Sequence, residues 1–286
     1  MAALPARLGD WRQARELLRN LVAKELKVRY KHSALGFAWS LLTPLLMTAI
    51  FTVVFATFLR IPVDRFAAFF LAGYLIWQFF ANSVNASVGA IVSNGSLIRK
   101  VYFPREVIPL SLVLSQAVHL LLALAVTAPL FYVLRGNFLP FVPALLVGLV
   151  LLVAFTAGMS MLFAAVNVSF RDLQELTQVM FMAWFYGTPI IYPRYLVDDA
   201  VADAEGWLMT VLPWIQRIVE ANPMTWFVQL FQRPLYGVPA HPEVGAAPPT
   251  WPDATTFLVC AAWAVGTLTI GWWLFRRRAV TFAKEV

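Results

Sequence analysis

The stretch SNGSLIRKVYFPR, residues 93–105, is a short polar interruption between two long apolar segments. Asn94-Gly95 is a turn pair, and the Ser96 hydroxyl can cap a helix by accepting a bond from a free backbone N–H. Because Pro104 disfavours helical geometry at the residue before it, a helix that starts here stops near Tyr102. Only about six or seven helical residues remain, and isolated helices are marginal below ~12–15 residues, so this helix needs a partner.

The two sides of this short helix differ in chemistry. One side is apolar and contains Leu97, Ile98, Val101 and Tyr102. The other side is basic and contains Arg99 and Lys100. This pattern allows two interpretations: a basic loop that only sets membrane topology, or an element that docks on another protein.

The composition is that of an integral membrane protein. The 286 residues are 60% hydrophobic and 13% charged, with a mean hydropathy of +0.72, whereas soluble domains are about 25% charged. The single Cys260 excludes an internal disulfide, and three scattered histidines argue against a metal site. We therefore expect one all-α membrane domain over residues 1–286, with no metal. The net charge of +7 could suggest nucleic acid, but the charges are distributed as in a membrane protein.

Charge-free windows predict six spans, because a charge at the bilayer centre costs at least ~2.5–3.5 kcal/mol. The predicted spans are 33–59, 66–92, 107–134, 139–166, 175–193 and 254–275. The fifth is short and ends in a break at Gly187–Pro189.

The distribution of lysine and arginine predicts the orientation. Sixteen of the 22 basic residues precede the first span, follow the second or the fourth, or lie in the C-terminal tail. The other six lie on the opposite side. The positive-inside rule therefore places both termini and the 93–105 loop in the cytoplasm.

The N-terminal segment 10–31 is an amphipathic helix rather than a span. Its apolar positions recur at helical spacing from Trp11 onward, and its basic positions are Arg15, Arg19, Lys24 and Lys27. We expect it to lie in the cytoplasmic membrane interface with its apolar side toward lipid, attracted by anionic headgroups.

The largest extramembrane segment, 194–253, lies on the outer side. It begins with an acidic run and continues with two half-length apolar stretches, Trp207–Val219 and Met224–Phe231, that Asn222-Pro223 separates. Both are too short to cross a bilayer, so we expect a re-entrant or interfacial helical hairpin. Residues 236–253 are rich in Pro and Gly and predict an irregular loop.

Motifs for several kinds of chemistry are missing from the sequence. No lysine follows a glycine, which excludes a Walker A loop, and the spans contain no chain of carboxylates for proton transfer. His119 is the one ionisable side chain deep in a span, and its ordinary explanation is a neutral imidazole bonded to neighbouring backbone. The outer carboxylates Asp198, Asp199 and Asp203 are either a solvated surface or a functional cluster.

Polar and aromatic residues mark possible contact surfaces. The second span is unusually polar around Asn82 and Asn85, so one of its faces should line water or a partner helix. Aromatic rings cluster at the outer ends of the second and fifth spans, among them Trp77, Phe80, Phe181, Trp184, Tyr186 and Tyr192. Such rings are either an interfacial belt or a surface on which the flat faces of sugars stack.

Five motifs in order carry a family resemblance: KELKVRYKHSALGFAWSLLTPLL (24–46), LIRKVYFPREVIPL (97–110), VSFRDL (168–173), GTPIIYP (187–193) and NPMTWF (222–227). Together they resemble the membrane subunit of ABC-2-type polysaccharide exporters, which serve O-antigen, teichoic acid and capsule. The first motif is more similar to the O-antigen and teichoic acid branch. The loop 236–253 is longer than the family usually has.

The resemblance implies partners and roles. It implies a homodimer in the bacterial inner membrane, served by two copies of a separate ATPase that uses ATP and Mg²⁺, with no cofactor bound by this chain. It assigns contact with the ATPase to Ser96–Tyr102 and to the second cytoplasmic loop around Arg171 and Asp172, and the interface helix to the N-terminal segment. It assigns outer gate helices to the two half-length stretches, with the aromatic residues Trp207, Trp214, Trp226 and Phe227.

The expected function is export of a lipid-linked polysaccharide through a channel lined by spans one, two and five, with Asn82, Asn85 and the clustered aromatic residues as candidates for contact with the glycan. Two alternatives stay open. One is an ABC-2 exporter of drugs or small lipids, and the other is a membrane-bound glycan-modifying enzyme that uses the acidic cluster.

Overall fold

The structure is a computed structural model that describes residues 8–30, 38–100, 103–239 and 246–285. Within these ranges all regular secondary structure is helical, as the composition predicts. In chain order the helices are α1 (Leu8–Tyr30), α2 (Ala38–Phe51), α3 (Phe66–Val88), α4 (Ala90–Ser93), α5 (Gly95–Lys100), α6 (Val107–Arg135), α7 (Val142–Ser169), α8 (Leu173–Tyr186), α9 (Tyr195–Ala202), α10 (Leu208–Ala221), α11 (Pro223–Leu235) and α12 (Ala254–Glu285). A π-helical turn, Thr52–Phe58, continues α2, and a 3-10 turn, Leu139–Phe141, precedes α7.

Four helices are long and apolar enough to cross a membrane. They are α3, α6, α7 with its preceding turn, and α12. They correspond to the second, third, fourth and sixth predicted spans, which are thereby confirmed as helices of spanning length. α3 ends at Val88 rather than near 92, because the chain passes Gly89 into the separate short helix α4.

The other two predicted spans are shorter within the described residues. The first corresponds to α2 and its π-helical turn, of which Leu42–Phe58 is apolar, and its residues 33–37 lie outside the described chain. The fifth is helical only over the 14 residues of α8, which ends at Gly187. At 1.5 Å per residue this is ~21 Å, less than the ~30 Å hydrocarbon thickness. The count of six spans is therefore not confirmed, although the predicted break at Gly187 is present.

Helix α3 is the centre of the bundle. It packs against α2, α6, α7, α8 and α11, and 72% of its apolar window is buried. Its buried Ser83 and Ser87 hydroxyls each donate to the carbonyl four residues earlier, both at 2.7 Å. Part of the polarity of this span is thus satisfied within the helix itself.

Helices α7 and α12 form the closest pair of the fold, because glycine lets their backbones approach. A Cβ built on Gly158 would lie 2.4 Å from the Thr267 carbonyl carbon, and one built on Gly271 would lie 2.1 Å from the Gly158 carbonyl oxygen. Real Cβ contacts are not that short. The crossing therefore requires glycine at both positions.

The bundle has two distinct ends. At one end, called the Glu106 end, the Glu106 carboxylate lies 3.3 Å from Arg276 Nε, and α5 packs against α12. At the other, called the Arg135 end, Arg135 lies 2.8 Å from Asp64. The Glu106 end contains the 93–105 loop and the 276–278 arginines. Its assignment to the cytoplasm stays a prediction from the charge count.

Helix α1 packs against α6. Its apolar residues Leu18, Leu21 and Val22 are half-buried, while Arg15 and Lys24 are exposed. The amphipathic pattern is thus present, but α6 shares the apolar side that was expected to face lipid. The side chain of Trp11 lies outside the part of the chain that is described.

Gly158→Ala should destabilise the fold, since the added methyl group overlaps the α12 backbone. Overpacking of this kind costs about 1–3 kcal/mol or more. The control is Gly266→Ala on α12, where an added Cβ meets nothing within 4 Å. Thermal unfolding in detergent should show a lower midpoint for Gly158→Ala alone, and equal midpoints would contradict the close crossing.

Candidate functional site

The short helix of the 93–105 loop has its cap two residues earlier than the sequence suggests. The Asn94 carbonyl accepts from the N–H groups of Leu97 and Ile98 at 3.0 and 3.1 Å, so Asn94 occupies the capping position. Ser96 therefore lies inside α5, where it is exposed, and its predicted capping role is wrong. The helix ends at Lys100, and Val101 and Tyr102 lie outside the described residues.

The side chains of α5 divide into an anchor and an exposed surface. Ile98 is only 6% exposed and belongs to the hydrophobic core, because α5 packs against α4 and α12. Ile98 therefore anchors the helix, and the expectation that it docks on a partner is corrected. Leu97 is half-buried, and Arg99 and Lys100 are exposed.

The second predicted contact loop lies close to the first. Arg171 and Asp172 are exposed in the turn between α7 and α8. Gln174, just after this turn, approaches Gly89 so closely that a Cβ there would lie 3.0 Å from its side-chain oxygen. Gly89 immediately precedes α4. The two loops thus lie at the same end of the bundle, and we call their exposed and half-buried residues the basic-end surface: Ser96, Leu97, Arg99, Lys100, Arg171 and Asp172.

Three of the aromatic candidates for glycan contact are buried in the core. Trp77, Phe80 and Phe181 are 6%, 0% and 4% exposed. Phe80 stacks on Phe181 with ring centroids 5.3 Å apart and meets the edge of Trp184 at 5.2 Å. These rings fasten α8 to α3, so their predicted exposure to a channel is wrong for this chain.

The remaining candidates are accessible to different degrees. Asn85 is exposed, Asn82 and Trp184 are half-buried, and Tyr186 is 53% exposed. Tyr192 is half-buried, and its hydroxyl donates to the Tyr186 carbonyl at 3.1 Å.

A second set of rings lies around α2, α3 and α8. Tyr74 and Phe185 belong to the aromatic clusters expected from the sequence, whereas Phe51, Phe55 and Phe70 were not expected to join them. Phe51 stacks on Phe70 at 4.6 Å and on Phe55 at 5.4 Å, and Phe70 stacks on Tyr74 at 5.1 Å. Phe185 meets the edge of Tyr74 at 6.4 Å. The half-buried members form a surface that we call the aromatic ladder: Phe51, Phe55, Tyr74 and Phe185. The signal was the four-residue spacing of Phe51 with Phe55 and of Phe70 with Tyr74, which places each pair on one helix face.

Asn222 joins the end of α8 to the start of α11. Its Oδ1 accepts from Trp184 Nε1 at 2.7 Å and from the Met224 N–H at 2.9 Å. Its Nδ2 donates to the Gly187 carbonyl at 3.1 Å and to Thr188 Oγ1 at 2.9 Å. The side chain therefore makes all four hydrogen bonds that an amide can make. The sequence did not indicate that Asn222 joins the two helices, because Asn222-Pro223 indicates only a helix break.

Both half-length stretches are helical, as α10 and α11, but their environments differ. α11 is buried against α3, α7 and α12; Phe227 is fully buried and lies 4.9 Å from Phe155. Phe227 is thus a core residue, which corrects its expected place in an outer gate. Trp226 is half-buried and donates to the Glu220 carbonyl at 2.8 Å. α10 is exposed, with Trp207 at 72% and Trp214 at 60%.

Arg135 bonds the described parts of the Pro-rich segment 236–253, of which residues 240–245 lie outside the described chain. Its side chain is 5% exposed and donates to the carbonyls of Tyr236 and Ala247, both at 2.6 Å, besides its ion pair with Asp64. The Tyr236 hydroxyl donates to the Asp64 carbonyl at 2.7 Å. Burial raises the pKa of Tyr236 to about 12, while the Arg135 charge lowers it and Asp64 raises it. The phenol therefore stays protonated and keeps donating at physiological pH.

The ionisable candidates for other chemistry have structural partners. His119 is buried in α6 and makes an interaction within the chain. Asp198, on α9, accepts from Gln216 Nε2 at 2.8 Å. Among the residues that the structure describes, no group of three or more His, Cys, Asp or Glu side chains could hold a metal ion.

Several helices of spanning length, a basic surface at the Glu106 end and hydrogen-bonded loops at the Arg135 end are the features of a multi-pass integral membrane protein. The family model described as "ABC-2 type transporter" matches residues 16–200. The chain belongs to this ABC-2 transporter membrane family, and it is a transporter component rather than an enzyme.

Named relatives extend the match beyond that region. An O-antigen export system permease protein RfbA of Myxococcus xanthus is 32% identical over 278 residues, covering 96% of both chains. A protein of the same name from Klebsiella pneumoniae is 33% identical over 208 residues, covering 71% of this chain and 78% of its own. The polysialic acid transport protein KpsM of Escherichia coli is 25% identical over 188 residues, covering 62% and 70%.

Asn222→Ala should weaken the junction of α8 and α11. It removes a helix cap, which is worth about 0.5–2 kcal/mol, and leaves the Trp184 N–H without its acceptor, at about 1–3 kcal/mol. The control is Asn137→Ala, because exposed Asn137 accepts only from the Leu139 N–H in a comparable local turn. The thermal midpoint in detergent should fall clearly for Asn222→Ala and little for Asn137→Ala; similar small losses would contradict the role of Asn222 in joining the two helices.

Proposed function

We propose that this protein is the membrane subunit of an ATP-driven exporter that moves a lipid-linked polysaccharide outward across the bacterial inner membrane. The observation that carries the proposal is the similarity to an O-antigen export permease over 96% of both chains. Capsule-type exporters match more weakly and over less of the chain. O-antigen or a similar surface glycan is therefore the proposed cargo.

Energy must come from another subunit, because this chain has no Gly-Lys phosphate loop. We assign ATP and Mg²⁺ to two copies of a partner ATPase that dock on the basic-end surface from the cytoplasm. The geometry supports this role: Ile98 fixes α5 to the bundle, while Leu97, Arg99 and Lys100 lie toward its surface. A groove on the ATPase would receive the helix, and the exposed basic residues of α1 would add contacts beside the anionic lipid surface.

The pathway is proposed to form between two copies of the chain. In this proposal α2 and α8 complete a set of six spans, with both termini in the cytoplasm. Both helices carry apolar residues that the single chain leaves exposed, such as Ile50 at 53% on α2 and Val179 at 71% on α8. Together with α3 they would line the channel of a homodimer.

Sugars would pass along the aromatic ladder and Tyr186 rather than along the buried rings. The apolar faces of sugar rings stack on aromatic rings, while their hydroxyls stay hydrated. Such contacts let a chain slide, since no single residue binds it tightly. Asn82 and Asn85, on α3, could hydrogen-bond passing hydroxyls.

A different cargo stays open, because an exporter of drugs or small lipids would use the same ATPase contacts. A glycan-modifying enzyme would depend on Asp198, Asp199 and Asp203 and would not need the basic-end surface. The family and the named relatives, which are permeases and transport proteins, argue against that enzyme.

Leu97→Asp should abolish docking of the ATPase, because it puts an unpaired carboxylate into an apolar contact. We expect on the order of a tenfold or greater loss of co-purified ATPase, together with loss of surface glycan. Leu139→Asp is the matched control, since Leu139 is 60% exposed and precedes α7 at the Arg135 end. Ile98→Asp is not informative here, as it would bury a charge in the core.

The docking proposal fails if folded Leu97→Asp protein still co-purifies the ATPase and exports glycan. It also fails if Leu139→Asp lowers co-purification to the same extent.

Phe185→Leu with Tyr186→Leu should slow glycan export without preventing assembly with the ATPase, because leucine cannot stack on sugars. Tyr132→Leu is the control: Tyr132 and Tyr186 are equally exposed, at 53%, but Tyr132 lies on α6, outside the proposed channel. Surface glycan measured on gels gives the readout. Alanine at Asp198, Asp199 and Asp203 should leave export intact, and its loss would favour the enzyme.

A further inference from the structure

Near its C-terminal end α12 carries two tryptophans, each followed four residues later by an arginine on the same face of the helix. The Arg276 guanidinium lies 5.2 Å from the Trp272 ring, and that of Arg277 lies 5.3 Å from the Trp273 ring. With Thr269 these residues line an open groove of about 480 Å³.

The groove opens on the side of α12 that the rest of the chain leaves exposed. Only 17% of the apolar window of α12 is buried within the chain, and Trp272 and Trp273 are 48% and 59% exposed. The two arginines follow directly, where the apolar part of the helix ends. Tryptophan at such a boundary lies at the level of the lipid headgroups.

The groove has an excess of positive charge. Glu106 is the carboxylate that pairs with Arg276, at 3.3 Å, and this leaves the Arg277 charge in excess. The next residue, Arg278, turns away toward α7, where its Nη1 lies 3.5 Å from the Ala165 carbonyl and from Ser169 Oγ. Arg277 thus faces the groove while an adjacent arginine of the same charge does not.

We propose that this groove binds the phosphodiester headgroup of an anionic glycerophospholipid from the leaflet at the Glu106 end. Guanidinium groups present paired N–H donors that match phosphate oxygens, and basic pockets beside membrane helices bind anionic lipid headgroups. The tryptophan rings pack against the glycerol and the first methylene groups. A lipid is the occupant because the groove lies where the apolar part of a helix of spanning length ends, and because it has both an apolar and a cationic part. This proposal rests on α12 as a membrane helix and not on the transport function.

Native mass spectrometry of the purified full chain, released from detergent micelles, tests the site with phosphatidylglycerol as the probe. Wild-type protein should retain phosphatidylglycerol and lose phosphatidylcholine under the same activation. Arg277→Gln should weaken retention about fivefold, the contribution of one basic residue near an anionic headgroup. Arg278→Gln, which removes the same charge one residue further on, should not.

Two further comparisons distinguish a lipid-binding site from non-specific electrostatic attraction between the arginines and an anionic headgroup. Trp273→Leu keeps every charge and should still weaken retention, since it removes the apolar wall of the groove. Free glycerol phosphate should compete poorly because it lacks the acyl chains. Four results would each overturn the proposal. The first two are retention of phosphatidylcholine equal to that of phosphatidylglycerol, and weakening of retention by Arg278→Gln equal to that by Arg277→Gln. The other two are the absence of any effect of Trp273→Leu, and efficient competition by glycerol phosphate. Trp273 and Arg277 are exposed, so the thermal midpoints in detergent should stay unchanged and serve as the folding control.

Discussion

The four hydrogen bonds of Asn222 are the interaction on which the junction of α8 and α11 depends. A helix that ends inside a membrane protein exposes backbone groups that lipid cannot satisfy, so a break needs polar partners from the protein itself. Here α8 ends and α11 begins at the same place, and one amide side chain bonds Gly187, Thr188, Trp184 and Met224. Because Asn222 serves both breaks, α8 cannot shift relative to α11 without losing several of these bonds. We therefore expect α8 and α11 to move together.

Arg135 likewise joins separate segments, here the loops at the Arg135 end, and it does so through its charged guanidinium. Its guanidinium joins the start of α3, the end of α11 and the segment before α12 through Asp64, Tyr236 and Ala247. The Glu106 end is built differently, with the Glu106–Arg276 pair and an exposed basic surface. At the Arg135 end the loops are fixed by hydrogen bonds and an ion pair, whereas the Glu106 end has exposed basic residues. This difference suits a protein that binds a partner at one end only.

The sequence predicted well what depends on charge and on chain breaks. Charge-free windows located the four helices of spanning length, and Gly187 and Asn222-Pro223 marked real helix ends, because charge and proline act locally whatever the neighbours are. The sequence did not predict which side of an apolar helix meets protein. Phe80, Phe181 and Ile98 were expected on functional surfaces, yet all three are buried; a helix that is apolar all round has no periodicity that separates lipid from core. The same limit explains why α10 and α11 looked alike, although only α11 is buried.

A helix of six residues can transmit force only if something stiffer holds it, and α5 is held in two ways. Ile98 inserts into the core, and α12 packs against the helix. α12 in turn crosses α7 at Gly158 and Gly271 with backbones in contact, so it cannot slide without separating the closest helix pair of the fold. A push on α5 would therefore move α7 and α12 together rather than bend a loop. α7 also packs on α3 and α8, which bear the aromatic residues of the proposed pathway, so the motion reaches the pathway through packed helices alone.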